Sequence, residues 1–275
     1  MRFNIKSWLL EKRGKATLLG VCPICKEIVR ATLQEAAKWN FIPMFVVTPR
    51  QVDADRGYTG WSQEEFVEYV MSTAKELGYM GPLLIARDHG GPYQSNRDRG
   101  RPEVSLEDAM NYAKEMFIRD VKSGFHILHV DATEDPAVDI LEVEEIARRT
   151  AELIAYIEDI RVTEKLPKVY YEVGTEEISG GLTEPRKFEK FIQLLKAQFR
   201  NMGCEQVMPY LLFIVGQVGT TMRIDMRNTF NPQQAKTLVD IAFKHGLFLK
   251  VHYTDWLETP ILEPVSYTHL TLPTN

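Results

Sequence analysis

Cysteine is scarce in this chain. There are three in 275 residues, Cys22, Cys25 and Cys204, and an odd number this small builds no disulfide framework. Cys22-Pro23-Ile24-Cys25 has the C-x-x-C spacing, but no second pair exists to complete a four-ligand zinc site. Reduced, structural cysteines near a strand end are expected, with a site-lining or redox role as the alternatives. Long apolar runs are also missing: none approaches the ~20 residues that cross a bilayer. The N-terminus, Met1 to Lys15, is basic but lacks an apolar core with a small-residue cleavage site, so no secretory leader is expected and the cytoplasm is the expected location. Positive charge is not in excess. Lys and Arg total 33 against 38 Asp and Glu, a net charge of −5. That argues against nucleic acid or an anionic membrane held by bulk charge. Finally, there is no repeat, no low-complexity stretch and no linker, so one domain is expected.

What is present reads as an alternation. Hydrophobic residues make up 44% and charged residues 26%, the balance of an ordinary folded protein. Apolar, β-branched-rich runs occur at Thr17–Cys22, Met44–Thr48, Leu83–Asp88, Phe125–Asp131, Lys168–Gly174, Tyr210–Gly216 and Leu247–His252. They are continuously apolar, as in strands covered on both faces. Helix-like stretches separate them: Cys25–Trp39, Ser62–Leu77, Ser105–Val121, Asp139–Ile160, Pro185–Met202 and Pro232–Lys244. Ser62 with Glu65 spells a capping box. Glu107 and Asp108 suit a helix N-terminus electrostatically, and Pro185 and Pro232 suit first-turn positions, where a missing N–H costs nothing.

Seven strands alternating with six helices imply βα units and a parallel sheet. The expected fold is an α/β (β/α)8 TIM barrel truncated after about the seventh strand, spanning residues 1–264, with an open doubly wound sheet as the runner-up. The latter usually carries a G-x-G-x-x-G turn, and none is found. Residues 265–275 do not continue the pattern. Val265-Ser266-Tyr267-Thr268-His269-Leu270 matches the translation of a sequencing-library adapter, so this tail is expected to lie outside the fold. A barrel lacking one βα unit would leave two strand edges open.

In such barrels the chemistry sits at the C-terminal ends of the strands. Those ends carry Thr48-Pro49-Arg50-Gln51, Arg87-Asp88-His89-Gly90-Gly91, His129-Val130-Asp131, Glu172-Val173-Gly174-Thr175-Glu176, Gly216-Gln217 and His252-Tyr253-Thr254-Asp255. Histidines and carboxylates thus converge on one rim, the raw material of a divalent-metal site with an acid/base partner. Each has a blander reading: Asp88-His89 as a cap and a solvated ring, His252 as a packed strand residue. His129 lies on the same strand face as Asp131, one layer deeper, and is read as a satisfied core histidine. Of Glu172 and Glu176, one is expected to ligate and the other to cap a turn. The loop with Arg97, Asp98, Arg99 and Arg101 is read as solvated charge, or as a phosphate collector if it lies near the rim.

The order and spacing of Gly57-Tyr58-Thr59-Gly60, Asp88-His89-x-Gly91-Pro92, His129-x-Asp131-Ala132, Gly174-Thr175-Glu176 with Gly180-Gly181, and His252-x-Thr254-Asp255 resemble the tagatose-bisphosphate aldolase Z-type subunits, from about Ala16 to Thr259. These proteins are similar in fold to class II ketose-bisphosphate aldolases. Some are accessory subunits of a catalytic aldolase partner, and relatives are ketose-phosphate 4-epimerases. The resemblance implies metal-dependent chemistry on a ketose phosphate or related sugar acid through an enediolate, or else a non-catalytic stabilising subunit. It implies a divalent metal (Zn, Mn, Co or Mg), a phosphorylated sugar, a possible class II aldolase partner and a homo-oligomer. By resemblance Asp88 moves the proton, His89 is a metal ligand and His252 is the strand-seven histidine. The third histidine of the aldolases would fall near Gly216-Gln217, where none stands. Arg87, Gly90 and Tyr93 also depart from the family's usual glycine, leucine and asparagine. The candidate set is therefore Asp88, Glu176 and Asp131 as catalytic; Gln51, Tyr58, Thr59, Arg87, Thr175 and Asp255 as substrate-binding; and His89, His252, Glu172 and Gln217 as metal ligands.

Overall fold

The computed structural model describes residues 3–175, 182–220, 230–254 and 257, with the backbone alone at 270–271. Seven strands fall within or beside the expected runs: β1 (Leu18–Val21), β2 (Met44–Val47), β3 (Leu84–Gly90), β4 (Ile127–Val130), β5 (Tyr170–Gly174), β6 (Leu211–Val215) and β7 (Phe248–Val251). Each pairs in parallel with the next, from β1–β2 through to β6–β7. A two-residue strand, β8 (Leu270–Thr271), joins β7 to β1 and closes the ring. Those two residues come from the segment expected to lie outside the fold, and the structure seats them in the eighth position, between the two edges expected to be open. The parallel barrel confirms the (β/α)8 class.

The connecting helices are α2 (Lys26–Trp39), α3 (Gln63–Glu76), α4 (Leu106–Ser123), α5 (Val143–Thr163), α6 (Pro185–Asn201) and α7 (Pro232–Lys244). Their starts follow local chemistry. Ser62 and Glu65 form both halves of the capping box on α3, Ser105 accepts from the Asp108 N–H on α4, and Pro185 and Pro232 occupy the first turns of α6 and α7. One helix is unannounced by the sequence, α1 (Ile5–Lys12). Its buried Ile5 and Leu9 pack with Leu18, Met44, Leu84, Ile127 and Phe248, each the first residue of its strand, and with Phe213 in the middle of β6. This apolar plug fills the lower barrel. No described helix is long and apolar enough to cross a membrane.

Strand alternation sends odd and even residues to opposite faces. Phe45, Ile85, Leu128, Val173, Ile214 and Leu249 therefore face the helices and build the larger core with Phe117, Ile154, Phe188 and Leu238. Arg87 obeys the same parity, which corrects its assignment to substrate binding. It is fully buried between sheet and helices, where it donates to both carboxylate oxygens of Asp120 on α4, at 2.8 and 2.5 Å, and to the Val47 and Val52 carbonyls. Burial pushes the Asp120 carboxyl up to about 6, with the Arg87 guanidinium pulling the other way.

Removing one partner of a fully buried pair strands the other charge. Arg87→Met should thus lower unfolding stability by about 3–5 kcal/mol in urea titrations, while ligand affinity of the folded fraction stays unchanged. A normal stability with a weakened ligand affinity would return Arg87 to the substrate list.

Candidate functional site

Above the apolar plug the barrel interior turns polar. Asp88 (β3), His129 (β4), Glu172 (β5), Lys250 (β7) and His252, one residue beyond β7, are all at most 1% exposed. Asp88, Glu172 and Lys250 come from strands that are not neighbours in the sheet, so their contacts run through the barrel itself, as alternate-strand layers do. Lys250 Nζ donates to Asp88 Oδ1 at 2.7 Å and also to Glu172 Oε1. His129 Nδ1 lies 3.2 Å from Asp88 Oδ1 and 3.1 Å from Glu172 Oε1. His252 Nε2 is 3.6 Å from Asp88 Oδ1. Ligand atoms of Asp88, His129, Glu172 and His252 all lie within 4.8 Å of one another.

Asp88 and His89 are consecutive, yet both serve this site. A regular strand would point them to opposite faces. The register of β3 against β4 advances three residues, Arg87 to Gly90, while β4 advances two, Leu128 to Val130. The extra residue is a bulge, and His89 sits in it at φ 48°, the left-handed region that costs a non-glycine residue energy. The His89 N–H donates to His129 Nδ1 at 3.2 Å, and its own Nδ1 pairs with Asp131 Oδ2 at 2.7 Å. Asp131 is fixed in turn by Gln94 Nε2 at 2.9 Å and by the Thr133 N–H and hydroxyl. The imidazole centroids of His89, His129 and His252 stand 5.1, 5.1 and 6.2 Å apart. Three histidines do converge, the third arriving from β4 and not from the Gly216-Gln217 position.

Electrostatics follow from this packing. Burial alone would push the Asp88 carboxyl up, but the Lys250 ammonium, with His89, His252 and His129, outweighs it and holds Asp88 well below the usual carboxylate range. Asp131 is likewise raised by burial and lowered further by its hydrogen bond and charge contact with His89. Lys250 loses solvation, yet Asp88 and Glu172 keep its ammonium charged and push its value up.

The candidate residues divide accordingly. Asp88, Glu172, His252, His89 and Asp131 are brought together. Gln51 folds back to accept from the Thr48 N–H, and its carbonyl accepts from the Thr59 hydroxyl, so both residues brace the loop after β2. Tyr58 lies exposed on that loop. Thr175 is half-buried just past β5. Gln217 is buried, and its backbone pairs with Thr183: its N–H with the hydroxyl, its carbonyl with the N–H. Glu176, Asp255, Gly180 and Gly181 lie outside the described residues. Asp98 is buried, not solvated, and accepts from the Tyr93 and Ser95 N–H groups.

Two site residues are hard to see in the sequence. Strand parity alone makes His129 a core residue. Lys250 carried a signal: a lysine inside the apolar run Leu247–Val251, two residues before His252 and hence on the same strand face.

The fit of a divalent ion can be judged on the donor set. Two imidazoles and two carboxylates suit zinc, manganese or cobalt. Among the described residues, Asp88 Oδ2 and His129 Nε2 are buried without a hydrogen-bond partner, and buried polar atoms are seldom left so. The residues fit.

The turn beside this cluster tolerates little. A Cβ on Gly91 would stand 1.8 Å from the Asp131 carbonyl oxygen, a distance that only movement of the backbone can relieve. Gly91→Ala should cost about 1–3 kcal/mol or more in urea unfolding. A cost under about 0.5 kcal/mol, the usual surface range, would show that this turn relaxes freely.

Comparison with known proteins agrees with this fold. A family profile described as D-tagatose-1,6-bisphosphate aldolase subunit GatZ/KbaZ-like matches residues 8–272. The D-tagatose 6-phosphate 4-epimerase of Agrobacterium fabrum is 30% identical over 266 residues, covering 91% of this chain and 61% of that protein. The chain therefore spans about three fifths of that relative's length. Among solved structures, a probable tagatose 6 phosphate kinase from Sinorhizobium meliloti 1021 superposes with TM-score 0.79 at 24% identity, covering 93% of this chain and 64% of that one. The YdjI aldolase of Escherichia coli K12 superposes with TM-score 0.62 at 15% identity, covering 98% and 80%. These two share the barrel. With its profile match running nearly end to end, this chain belongs to the D-tagatose-1,6-bisphosphate aldolase subunit GatZ/KbaZ-like family.

Proposed function

We propose that this chain carries out aldol-type chemistry on a phosphorylated ketose, most closely a 4-epimerisation. The observation that carries the reading is the buried cluster at the barrel's upper end, which combines a proton-moving carboxylate with a compact set of metal donors. The 30% identical relative named as a tagatose 6-phosphate 4-epimerase supports the epimerase form.

His129, Glu172 and His252 would hold the ion, the number of protein donors usual in catalytic sites. A divalent ion bound there would supply a Lewis acid for the ketose carbonyl and its developing negative charge. The two oxygens of Asp88 have separate duties. Oδ1 is held by Lys250 and faces His129, whereas Oδ2 has no hydrogen-bond partner among the described residues and takes the proton from the C4 hydroxyl. As that proton leaves, the C3–C4 bond breaks to give an aldehyde and an enediolate. Return of the electron pair to the other face of the aldehyde, with the proton handed back from Oδ2, gives the C4 epimer. If instead the proton on Oδ2 goes to C3 of the enediolate, the two halves leave as aldehyde and ketone, which is aldol cleavage. His89, oriented by Asp131, stands with Nε2 3.9 Å from Asp88 Oδ2 and points its ring toward the same space.

A second reading comes from the family description, which names an aldolase subunit: the chain would bind and stabilise a class II aldolase partner without turnover of its own. The two part on one assay. With Mn2+, Co2+ or Zn2+ added, the chain alone should convert one or more members of a ketose-phosphate panel, followed by NMR of the C4 configuration. Asp88→Ala should cut turnover by about 10²–10⁴-fold, the usual worth of an acid–base group, measured at saturating ion with one ion still bound per chain through His129, Glu172 and His252. Turnover unchanged in Asp88→Ala would refute the role of that carboxylate. No turnover by the wild-type chain, with a rise in a partner aldolase's stability, would favour the accessory subunit.

A further inference from the structure

We infer that Lys250 is a built-in counter-cation of the barrel-centre cluster: it holds Asp88 and Glu172 together before any divalent ion arrives, and it weakens the binding of that ion. This rests on the metal-assisted reading above.

Lys250 Nζ is shared between Asp88 Oδ1 on β3 and Glu172 Oε1 on β5, reaching from β7 across the barrel. Both carboxylates also belong to the four-donor group. The residue is 1% exposed, so water does not solvate the charge. Two residues before it on the same strand face stands Phe248, part of the apolar floor of the barrel. The ammonium is therefore confined within a few ångströms of any ion held on Glu172 beside Asp88. In such a medium, like charges repel far more strongly than in water.

Charge counting gives the direction. Two carboxylates and one ammonium leave one negative charge, so a divalent ion overshoots neutrality. With a neutral side chain at position 250, two negative charges would match the ion. The same neutral side chain would leave two buried carboxylates facing each other unpaired, which costs stability when no ion is present. Affinity for the ion and stability without it thus move in opposite directions, a signature that a merely structural lysine would not produce.

Equilibrium dialysis with Mn2+ and thermal melts of the 275-residue chain test this, using Lys250→Met and Lys250→Arg. Lys250→Met should melt lower without ion, bind Mn2+ at least about tenfold more tightly, and recover the wild-type melt when saturated. Lys250→Arg keeps the charge and should bind Mn2+ within about threefold of wild type. Equal or weaker Mn2+ binding by Lys250→Met, with binding lost in His129→Ala, would overturn the counter-cation and leave the metal site standing. No binding of Mn2+, Co2+ or Zn2+ by wild type or Lys250→Met would overturn both. Should Lys250→Met fail to fold, the 15N-lysine spectrum of the wild-type chain decides. The Lys250 Nζ resonance, identified by its loss in Lys250→Arg, should move on Zn2+ saturation. A resonance that stays in place with Zn2+ bound at His129 would overturn the proposal.

Discussion

One ammonium group, that of Lys250, sits between Asp88 and Glu172 at the centre of the barrel, and the upper half of the molecule is organised around it. Two carboxylates that close, out of contact with water, repel each other and resist ionisation. A cation placed between them turns that repulsion into attraction. The histidines then have ionised carboxylates to turn toward: His129 faces both acids, and His252 faces Asp88. Asp88 remains ionised despite complete burial, the state required of a group that is to accept a proton from a sugar hydroxyl. Charge in the interior is affordable only because it is paired.

The second constraint is a matter of backbone geometry. A bulge in β3, with His89 in the left-handed region, lets two consecutive side chains serve one face. Gly91 then passes so close to the Asp131 carbonyl that no side chain fits. Strain of this kind persists where surrounding contacts over-determine it. Here they do: the His89 N–H is bonded to His129, and its ring is bonded to Asp131. The lower barrel supplies the rigidity, through an apolar plug sealed by α1. An apolar floor and a polar ceiling in one barrel divide the labour of holding the fold and doing the chemistry.

Much of this was legible in the residue order, and the parts that were not share a cause. The seven strand runs, the Ser62–Glu65 capping box and the first-turn prolines are local matters, set by residue type and spacing over a few positions. The Asp88-His89 pair, Glu172 and His252 could be picked out because parallel barrels put their chemistry at the C-terminal strand ends. Arg87 was misplaced because strand parity, not nearness to Asp88, decides which face a side chain takes. His129 looked like a core residue because the partners that recruit it, Asp88 and Glu172, lie 41 positions before it and one strand further on.

By itself, then, the sequence determined the alternation of strand and helix, the caps that begin the helices, and the rim on which acids and histidines collect. These depend on interactions between residues close in the chain. Only the tertiary structure decided which of those groups meet. The contact of Lys250 with Asp88 spans 162 residues, and that with Glu172 spans 78. Both exist because closing the sheet brings β3, β5 and β7 to face one another across the barrel axis. Closure also turned His129 from a core residue into a member of the site, and set the bulge that aims His89. The physical reason is that periodicity tells which face a side chain takes, whereas the register and closure of the barrel tell what lies opposite it.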